Sequence, residues 1–376
     1  MPGSAEVAII GGGITGCSIA YHLTQAGLCD VIILEKEGLA CGATGICPGG
    51  IRQQFEAEAD CLMARRSVRF WEEVNQRLEP EAPFEFERSG YLFLAESPRL
   101  LERFRSNVAL QNRLGIPSEI LSCQQISRLL PELRLDGILG GSFCAEDGFL
   151  EDCHGITALL ARRALEKGAR ILYQQAVDLK AAPPGWRITT GQDVIQAGQV
   201  VLAAGADSLP LAECAGLKLP IRPQVRRLAF TLPYPSQLMT PLVVAPEREF
   251  AGKQLSYGVF YLGWLAERPQ DDDLLFIEKG LLGGATLLPI LEELPVRKII
   301  RGTYDTTPDQ RPLLGAVPNR KGLWVAAGFS GHGFMIAPAV GEALSCAIRG
   351  EETSLPLEAF SLLRFQGQSQ SQGLFI

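Results

Sequence analysis

Histidine is scarce in this 376-residue chain, which has only His22, His154 and His332. No two of its ten cysteines stand in C-x-x-C spacing. Together these absences leave a zinc or iron–sulfur site carried by this chain unsupported, and no metal is expected. The cysteines, with Cys17, Cys29 and Cys346 among apolar neighbours, are expected as buried free thiols in a reducing compartment. Basic blocks are missing too: 35 Lys and Arg face 42 Asp and Glu, a net charge of −7 that disfavours a nucleic-acid partner. No apolar run approaches the roughly 20 residues of a membrane span. The nearest, Val7–Leu23, is interrupted by four glycines and His22 and lacks flanking Lys or Arg. That argues against both an anchor and a signal peptide, so a cytoplasmic location is expected. Composition is otherwise that of a globular protein, 47% hydrophobic and 20% charged, and the length suits two domains or one domain with a large insertion.

The stretch "VAIIGGGITGCSIAYHL" opens the α/β part of the chain. Glu6–Ile10 reads as a buried strand, Ile14–Gln25 as a helix stopping at Gly27, and Asp30–Glu37 as a second buried strand. Gly11-x-Gly13-x-x-Gly16 therefore sits between strand and helix, the context that makes this spacing a dinucleotide fingerprint. The first glycine permits the tight turn, the second lets backbone approach a pyrophosphate, and the third lets helix and strand pack closely. Glu35 ends the second strand about twenty residues further on, where an acid bonds ribose hydroxyls and repels a 2′-phosphate. FAD and NAD share this fingerprint. "CGATG" (41–45), "VVLAAGA" (200–206) and "WVAAGFSGHGF" (324–334) add further glycine loops, which an extended FAD needs and a single NAD does not. Amides of Gly333–Met335, at the start of the last helix, are placed to stabilise negative charge on a reduced flavin, with His332 either adding to this or simply packing the loop.

Further along, Ala57–Leu78 reads as one amphipathic helix and "FEFERSGYLFLA" (84–95) as strand. Pro98–Leu114 reads as helix, "GWRITTGQDVIQAGQVVLAAGA" as a hairpin leading to an apolar strand, and residues 220–300 as strand-rich with an acidic turn at Asp271–Asp273. Two textures alternate. The fold expected is α/β (α+β): a Rossmann-like FAD-binding domain interleaved with a substrate domain on a mixed, largely antiparallel sheet. Residues 1–80, 145–220 and 300–365 are assigned to the first, 81–144 and 221–299 to the second, and 366–376 to a polar, frayed tail.

The motifs "IIGGGITGCSIAYHL", "GATG…GGIRQQF", "TTPDQRPLLG" and "AAGFSGHGFMIAPAVGEAL" resemble those of the D-amino-acid oxidase superfamily of FAD-dependent oxidoreductases, over nearly the whole chain. Within it the chain looks most similar to the β subunits of heteromeric sarcosine oxidases and of proline and hydroxyproline dehydrogenases. The resemblance implies oxidation of a C–N bond by hydride transfer to flavin N5, giving an imine that water hydrolyses. Cofactor contacts are expected at Gly11, Gly13, Ile14, Thr15 and Gly16; at Glu35, Lys36, Ala43 and Thr44; and at Gly49, Gly50 and Ile51. Val177, Ala204 and Gly205 complete the nucleotide side, and Gly331, His332, Gly333, Phe334 and Met335 the flavin side.

Four positions depart from relatives. Gly302 stands where covalent sarcosine oxidases have a flavin-linking cysteine, so dissociable, non-covalent FAD is expected. Tyr304 replaces the carboxylate-binding arginine of glycine and D-amino-acid oxidases. Met335 replaces a lysine of monomeric sarcosine oxidases, as in heteromeric relatives. Tyr261 replaces the lysine that activates oxygen, which favours a dehydrogenase. Arg52, in "GGIRQQF", is the candidate for holding a substrate carboxylate, by resemblance and because a planar fork suits that ligand; a salt-bridge role is the alternative. Tyr257, Tyr261 and Tyr304 are candidate cavity residues. Arg52, Tyr261, Tyr304 and His332 form the candidate catalytic set, and no base is required if the amine binds neutral. The function expected is oxidation of a secondary amino acid or amine (sarcosine, proline, hydroxyproline or opine type) by a dehydrogenase subunit with a heteromeric electron-accepting partner. A stand-alone glycine or D-amino-acid oxidase, or a non-catalytic flavoprotein assembly or electron-transfer subunit, stays open.

Overall fold

The strand Ser4–Ile10 is almost wholly apolar because it runs through the middle of a sheet. It pairs in parallel with Val31–Glu35 on one side and Val194–Leu202 on the other, and both of its faces are covered by helices or strands, as parallel strands require. In this computed structural model, which describes residues 3–365, that sheet has eight strands. Its main path is Leu313–Ala316, Leu323–Ala327, Val194–Leu202, Ser4–Ile10, Val31–Glu35 and Arg170–Tyr173. Only the first of these pairings is antiparallel. The hairpin Ala176–Ala182/Gly185–Thr190 joins through the early half of Val194–Leu202, so the hairpin's last arm and the apolar core strand are one element. Helices Ile14–Gln25, Glu58–Glu72, Cys153–Glu166 and Gly333–Ile348 bury their apolar faces in one cluster against this sheet.

A second eight-stranded sheet runs Val296–Thr306, Arg222–Thr231, Phe260–Trp264, Phe250–Gln254, Leu242–Ala245, Tyr91–Ala95, Gly140–Cys144 and Ser118–Leu121. It is antiparallel except where Leu242–Ala245 meets Tyr91–Ala95, which makes it the mixed, largely antiparallel sheet expected. Val296–Thr306 pairs with Arg222–Thr231 along its whole length, running across the boundary set at residue 300. Between the two sheets lies a two-stranded ladder, Gly50–Ile51 with Gly148–Phe149.

Several local expectations need correction. The helix over Ala57–Leu78 divides at Glu73 into Glu58–Glu72 and Val74–Leu78. The Asn75 side chain, bonded to both the N–H and the C=O of Phe84, turns the last segment toward the following loop. In "FEFERSGYLFLA" only Tyr91–Ala95 is strand; Glu87 makes an isolated bridge to Phe149. The segment 220–300 contains a helix, Asp273–Ala285, capped by the Asp272 carboxylate on Leu275 N–H at 2.8 Å. Three glycines inside it (280, 283, 284) hide it from propensity reading. Not all thiols are buried: Cys41 and Cys214 are exposed, and no described cysteine is in a disulfide. The tail at 366–376 lies outside the described residues. Among those described, no helix is long and apolar enough to cross a membrane.

Candidate active site

The fingerprint glycines sit where backbone crowds backbone. A Cβ on Gly16 would stand 2.0 Å from the Gly11 carbonyl oxygen, and one on Gly11, at φ +120°, 2.3 Å from that of Ala203. Only glycine lets the helix Ile14–Gln25 begin this close to the strand ends. Gly13 precedes that helix without a side-chain cap; the Thr44 hydroxyl instead accepts the Ile14 N–H at 3.1 Å, and no acid occupies the first turn. The helix dipole is thus directed at an anion site with Gly13, Thr15 and Thr44 around it. Glu35, at the end of its strand, accepts the N–H of Gly12 (2.7 Å) and of Glu37 (2.8 Å). Lys36 pairs with Asp207 at 2.9 Å, and the Ala204 N–H donates to Ser208 Oγ. All of these lie along the C-terminal edge of the parallel sheet, where the crevice of such folds binds its ligand. Val177 follows Arg170–Tyr173 at that same edge and is 51% exposed.

Pro338 lies inside the helix Gly333–Ile348, and the ladder around it is completed from another helix. Ser67 Oγ accepts the Ala339 N–H at 3.1 Å, and Trp71 Nε1 donates to the Met335 carbonyl at 3.0 Å. The Trp71 ring stacks on Phe334 with centroids 5.3 Å apart. On the other side Asp305 holds the loop: its carboxylate accepts Gly328 N–H at 2.6 Å and Phe329 N–H at 3.2 Å. The loop Gly328–His332 therefore delivers a second uncapped helix start, with Gly331 (φ +90°) lying so close to the Tyr304 ring that a Cβ would meet it at 2.4 Å.

Arg52 lies where the two parts meet, buried at 8% exposure. Its guanidinium stands 4.1 Å from the Phe55 ring centroid and 5.5 Å from that of Phe93. It donates to the Gln54 carbonyl and, at 3.1 Å, to His332 Nε2. Arginine is a donor only, so Nε2 is the acceptor and the imidazole proton sits on Nδ1. Burial, then the Arg52 charge, push the His332 pKa down to about 3, which keeps the ring neutral. No carboxylate among the described residues forms an ion pair with Arg52. Arg52 and His332 line one cavity of about 230 Å³, with Gln54, Phe55, Phe93 and Ser142 in its wall.

Tyr261 and Tyr304, expected in the cavity, do not line it. Burial raises both phenols, Tyr304 to about 12, so both are neutral. The Tyr261 hydroxyl is buried with no hydrogen-bond partner, its ring stacked on Phe149 at 5.8 Å. Tyr257 is elsewhere, on the turn before Phe260–Trp264 and 60% exposed, so it does not line this cavity. Tyr91, which sequence reasoning did not single out, is close: a Cβ on Gly50 would stand 1.8 Å from its hydroxyl. It stands in a strand that is apolar and buried throughout, which gave no hint of a site.

Asp147 and Gln54 were also missed. Asp147 is fully buried and accepts Gln53 N–H at 2.7 Å and Gln54 Nε2 at 2.9 Å; Gln54 Oε1 accepts Ser142 Oγ at 2.6 Å. This network sets the course of the Arg52 segment. Burial pushes the Asp147 carboxyl up to about 7, above its value of 3.8 in an unfolded chain. A group raised on folding contributes its stability below the unfolded pKa and loses it as pH rises through the folded one. Between pH 4 and 7 the wild type is therefore expected to lose roughly 3 kcal/mol relative to Asp147→Asn. Thermal melts of both proteins at pH 5 and pH 8 check this; a pH-independent difference in Tm would refute it.

FAD fits this arrangement. The glycines leave backbone exposed where a Cβ would collide, two helix N-termini lack side-chain caps, and the Tyr261 hydroxyl is buried without a partner. Gly11–Gly16, Glu35, Lys36, Ala43, Thr44 and Ala204–Gly205 would hold its nucleotide half, and Gly49–Ile51 with Gly331–Met335 the ring. At Gly302 a Cβ would stand 1.5 Å from Ile46 Cδ1, the far end of a side chain that would have to turn aside.

Comparison with known proteins agrees with this geometry. Residues 6–347 match the DAO family model, described as FAD dependent oxidoreductase. The chain is 28% identical to the FAD-dependent oxidoreductase domain-containing protein 1 of Xenopus laevis, covering 98% of this chain and 84% of that protein. It is also 28% identical to mitochondrial dimethylglycine dehydrogenase of Rattus norvegicus, over 91% of this chain but only 42% of that protein. Among solved structures, the L-proline dehydrogenase of P. horikoshii superposes with a TM-score of 0.91 at 30% identity, covering 97% of this chain and 99% of the other. Fold, cradle and matched length converge: the chain belongs to the DAO family of FAD-dependent oxidoreductases.

Proposed function

We propose that this protein is a dehydrogenase that oxidises the C–N bond of a secondary amino acid or amine, holding the substrate carboxylate on Arg52. In this reading the segments of the parallel sheet carry FAD and those of the antiparallel sheet shape the substrate pocket. One observation carries the reading: a buried arginine with no carboxylate partner lines a cavity beside the loop Gly331–Met335. A buried cation left unpaired is costly, and an anionic ligand offsets that cost. Two of its five N–H donors are used, on Gln54 and His332, so others remain for a carboxylate. FAD, when bound, supplies the hydride acceptor at N5. Arg52 orients the substrate, the neutral phenols of Tyr261 and Tyr304 help exclude water, and the Gly333–Met335 amides favour negative charge on the reduced ring. The names of the two relatives quoted, dimethylglycine and L-proline dehydrogenase, support an N-substituted amino acid as substrate.

Anaerobic mixing of the FAD-loaded protein with sarcosine, proline, hydroxyproline, an opine and D-alanine tests this. Bleaching of the flavin by one of the secondary amino acids is expected. Bleaching by D-alanine instead would indicate a D-amino-acid oxidase, and no bleaching by any amine would leave only an assembly or electron-transfer role.

Electron delivery to a partner subunit rests on the residues that stand where a positive charge would be needed to activate oxygen. The Tyr261 phenol stays neutral, so it offers no positive charge to stabilise superoxide. The buried Lys253 ammonium is behind Phe149, 5.1 Å from that ring's centroid, and is engaged by the Thr240 carbonyl at 2.6 Å and by Glu87 at 3.2 Å. After substrate reduction, reoxidation by an artificial acceptor is expected to be at least about tenfold faster than by air, a difference of about 1.4 kcal/mol in barrier. Equal rates would make the protein an oxidase.

A further inference from the structure

The cavity that holds Arg52 has an apolar floor and a charged rim. Met63, Phe93, Phe104 and Ile336 line it and are buried, the two phenyl rings with centroids 6.1 Å apart. Glu56, Asp60, Arg103, Asp309 and Arg311 also line it, and none of these is fully buried. Every one of the rim carboxylates is engaged by an arginine. Asp60 pairs with Arg311 at 2.8 Å and Asp309 with Arg364 at 2.7 Å. Glu56 pairs with Arg103 at 2.6 Å and also accepts Asn107 Nδ2 at 3.4 Å. Of the arginines lining the cavity, Arg103 and Arg311 are thus each matched to a carboxylate, and Arg52 is not.

The Glu56–Arg103 pair is set by long-range packing. Arg103, Asn107 and Gln111 recur at four-residue spacing on the helix Pro98–Arg113, so they share one face. Gln111 Nε2 donates to the Phe55 carbonyl at 2.9 Å, and Asn107 and Arg103 reach the next residue, Glu56. That face grips the segment just beyond Arg52 and fixes Phe55, whose ring lies 4.1 Å from the guanidinium. One short stretch of chain therefore carries both the open cation and the carboxylate that occupies its neighbour.

We propose that Glu56 makes the site selective for amino acids with a single carboxylate: by engaging Arg103 it withholds that guanidinium from the substrate, so dicarboxylate amines of the opine type are rejected. This rests on the reading of Arg52 as the holder of the substrate carboxylate. A monocarboxylate with a hydrocarbon remainder finds one open guanidinium and apolar walls. A second carboxylate has to displace Glu56 from Arg103, or lie beside Glu56, Asp60 and Asp309 with no cation of its own. The Glu56 side chain is 47% exposed, so the pair adds little to stability. Its effect is on the charges that an entering ligand meets.

Methoxyacetate and oxydiacetate provide the test. They are sarcosine and iminodiacetate with the N–H replaced by oxygen, so neither has an amine to oxidise, and they differ by one carboxylate. Each is titrated into the FAD-loaded protein and followed by flavin absorbance. Wild type is expected to bind methoxyacetate at least about tenfold more tightly than oxydiacetate. Glu56→Gln is expected to tighten oxydiacetate about threefold or more relative to methoxyacetate, and adding Arg103→Ala to the same chain to remove that gain. Equal affinity of wild type for the two ligands overturns the proposal and leaves the Arg52 reading standing. A Glu56→Gln gain that is the same for both ligands, or that persists without Arg103, overturns it too. If the glutamine variant loses its flavin, the wild-type comparison decides. Failure of wild type to bind methoxyacetate, oxydiacetate or the bulkier cyclopentanecarboxylate would instead fell the Arg52 reading, and the proposal with it.

Discussion

Arg52→Ala is expected to raise the apparent substrate constant by roughly 2–5 kcal/mol, about 30- to 4000-fold, with a smaller change in kcat. The reason is geometric. The guanidinium is buried between two phenyl rings and already spends donors on the Gln54 carbonyl and His332 Nε2. A carboxylate entering the cavity meets a fork whose plane is fixed on one side, so little orientational freedom is lost on binding. Arg52→Lys keeps the charge but not the fork: one ammonium cannot serve Gln54, His332 and both carboxylate oxygens. Its effect is expected to lie between wild type and alanine. His332 remains neutral in all three proteins, because burial, the larger cause of its low pKa, does not depend on Arg52. Steady-state kinetics with the bleaching substrate, alongside flavin content, separate the outcomes. Equal and small effects for alanine and lysine would make Arg52 a packing cation between the two sheets, and the carboxylate assignment would fall.

What the sequence revealed follows a physical divide. The strand–glycine–helix unit at Ser4–Gln25 was legible because its signals are local: β-branched apolar run, glycines at fixed spacing, helical periodicity, then Glu35. The helix after "GFSGHG" was legible for the same reason. Residues that act through long-range pairing were not. Asp147 reaches the Arg52 segment from 93 positions away through Gln54, and Asp305 holds Gly328 and Phe329 across two sheets. Neither carries a local pattern that distinguishes it from a surface acid. Tyr91 reads as an ordinary strand aromatic until the ladder at Gly50–Ile51 brings its hydroxyl against Gly50. Trp71 lies in a helix whose amphipathic pattern was legible, but its bond to the Met335 carbonyl, beside Pro338 in another helix far along the chain, was not.

Gly16→Ala is expected to abolish FAD retention and to cost roughly 3–5 kcal/mol of stability, for the addition of one methyl group. The new Cβ would stand 2.0 Å from the Gly11 carbonyl oxygen and 3.3 Å from Ile9 Cγ2, and the closer of the two atoms is backbone. Relief requires the helix Ile14–Gln25 to withdraw from the strand end, and its other side blocks that movement. Ser18 Oγ donates to the Ala337 carbonyl at 2.9 Å, and a Cβ on Gly341 would meet Ser18 Oγ at 2.3 Å, so the last helix is already in tight contact. Ile19 and Leu23 are fully buried in the same cluster. The strain therefore falls on the turn Gly11–Gly13 itself, whose amides would hold the pyrophosphate. Gly191→Ala is the control: no heavy atom lies within 4 Å of its added Cβ, and it stands on a hairpin turn far from the cradle in sequence. Flavin absorbance of the purified variants and thermal melts with and without added FAD read the difference. A Gly16→Ala protein that keeps its flavin at the wild-type Tm would show that the helix start can move, and the close-packing account of the fingerprint would fail for this chain.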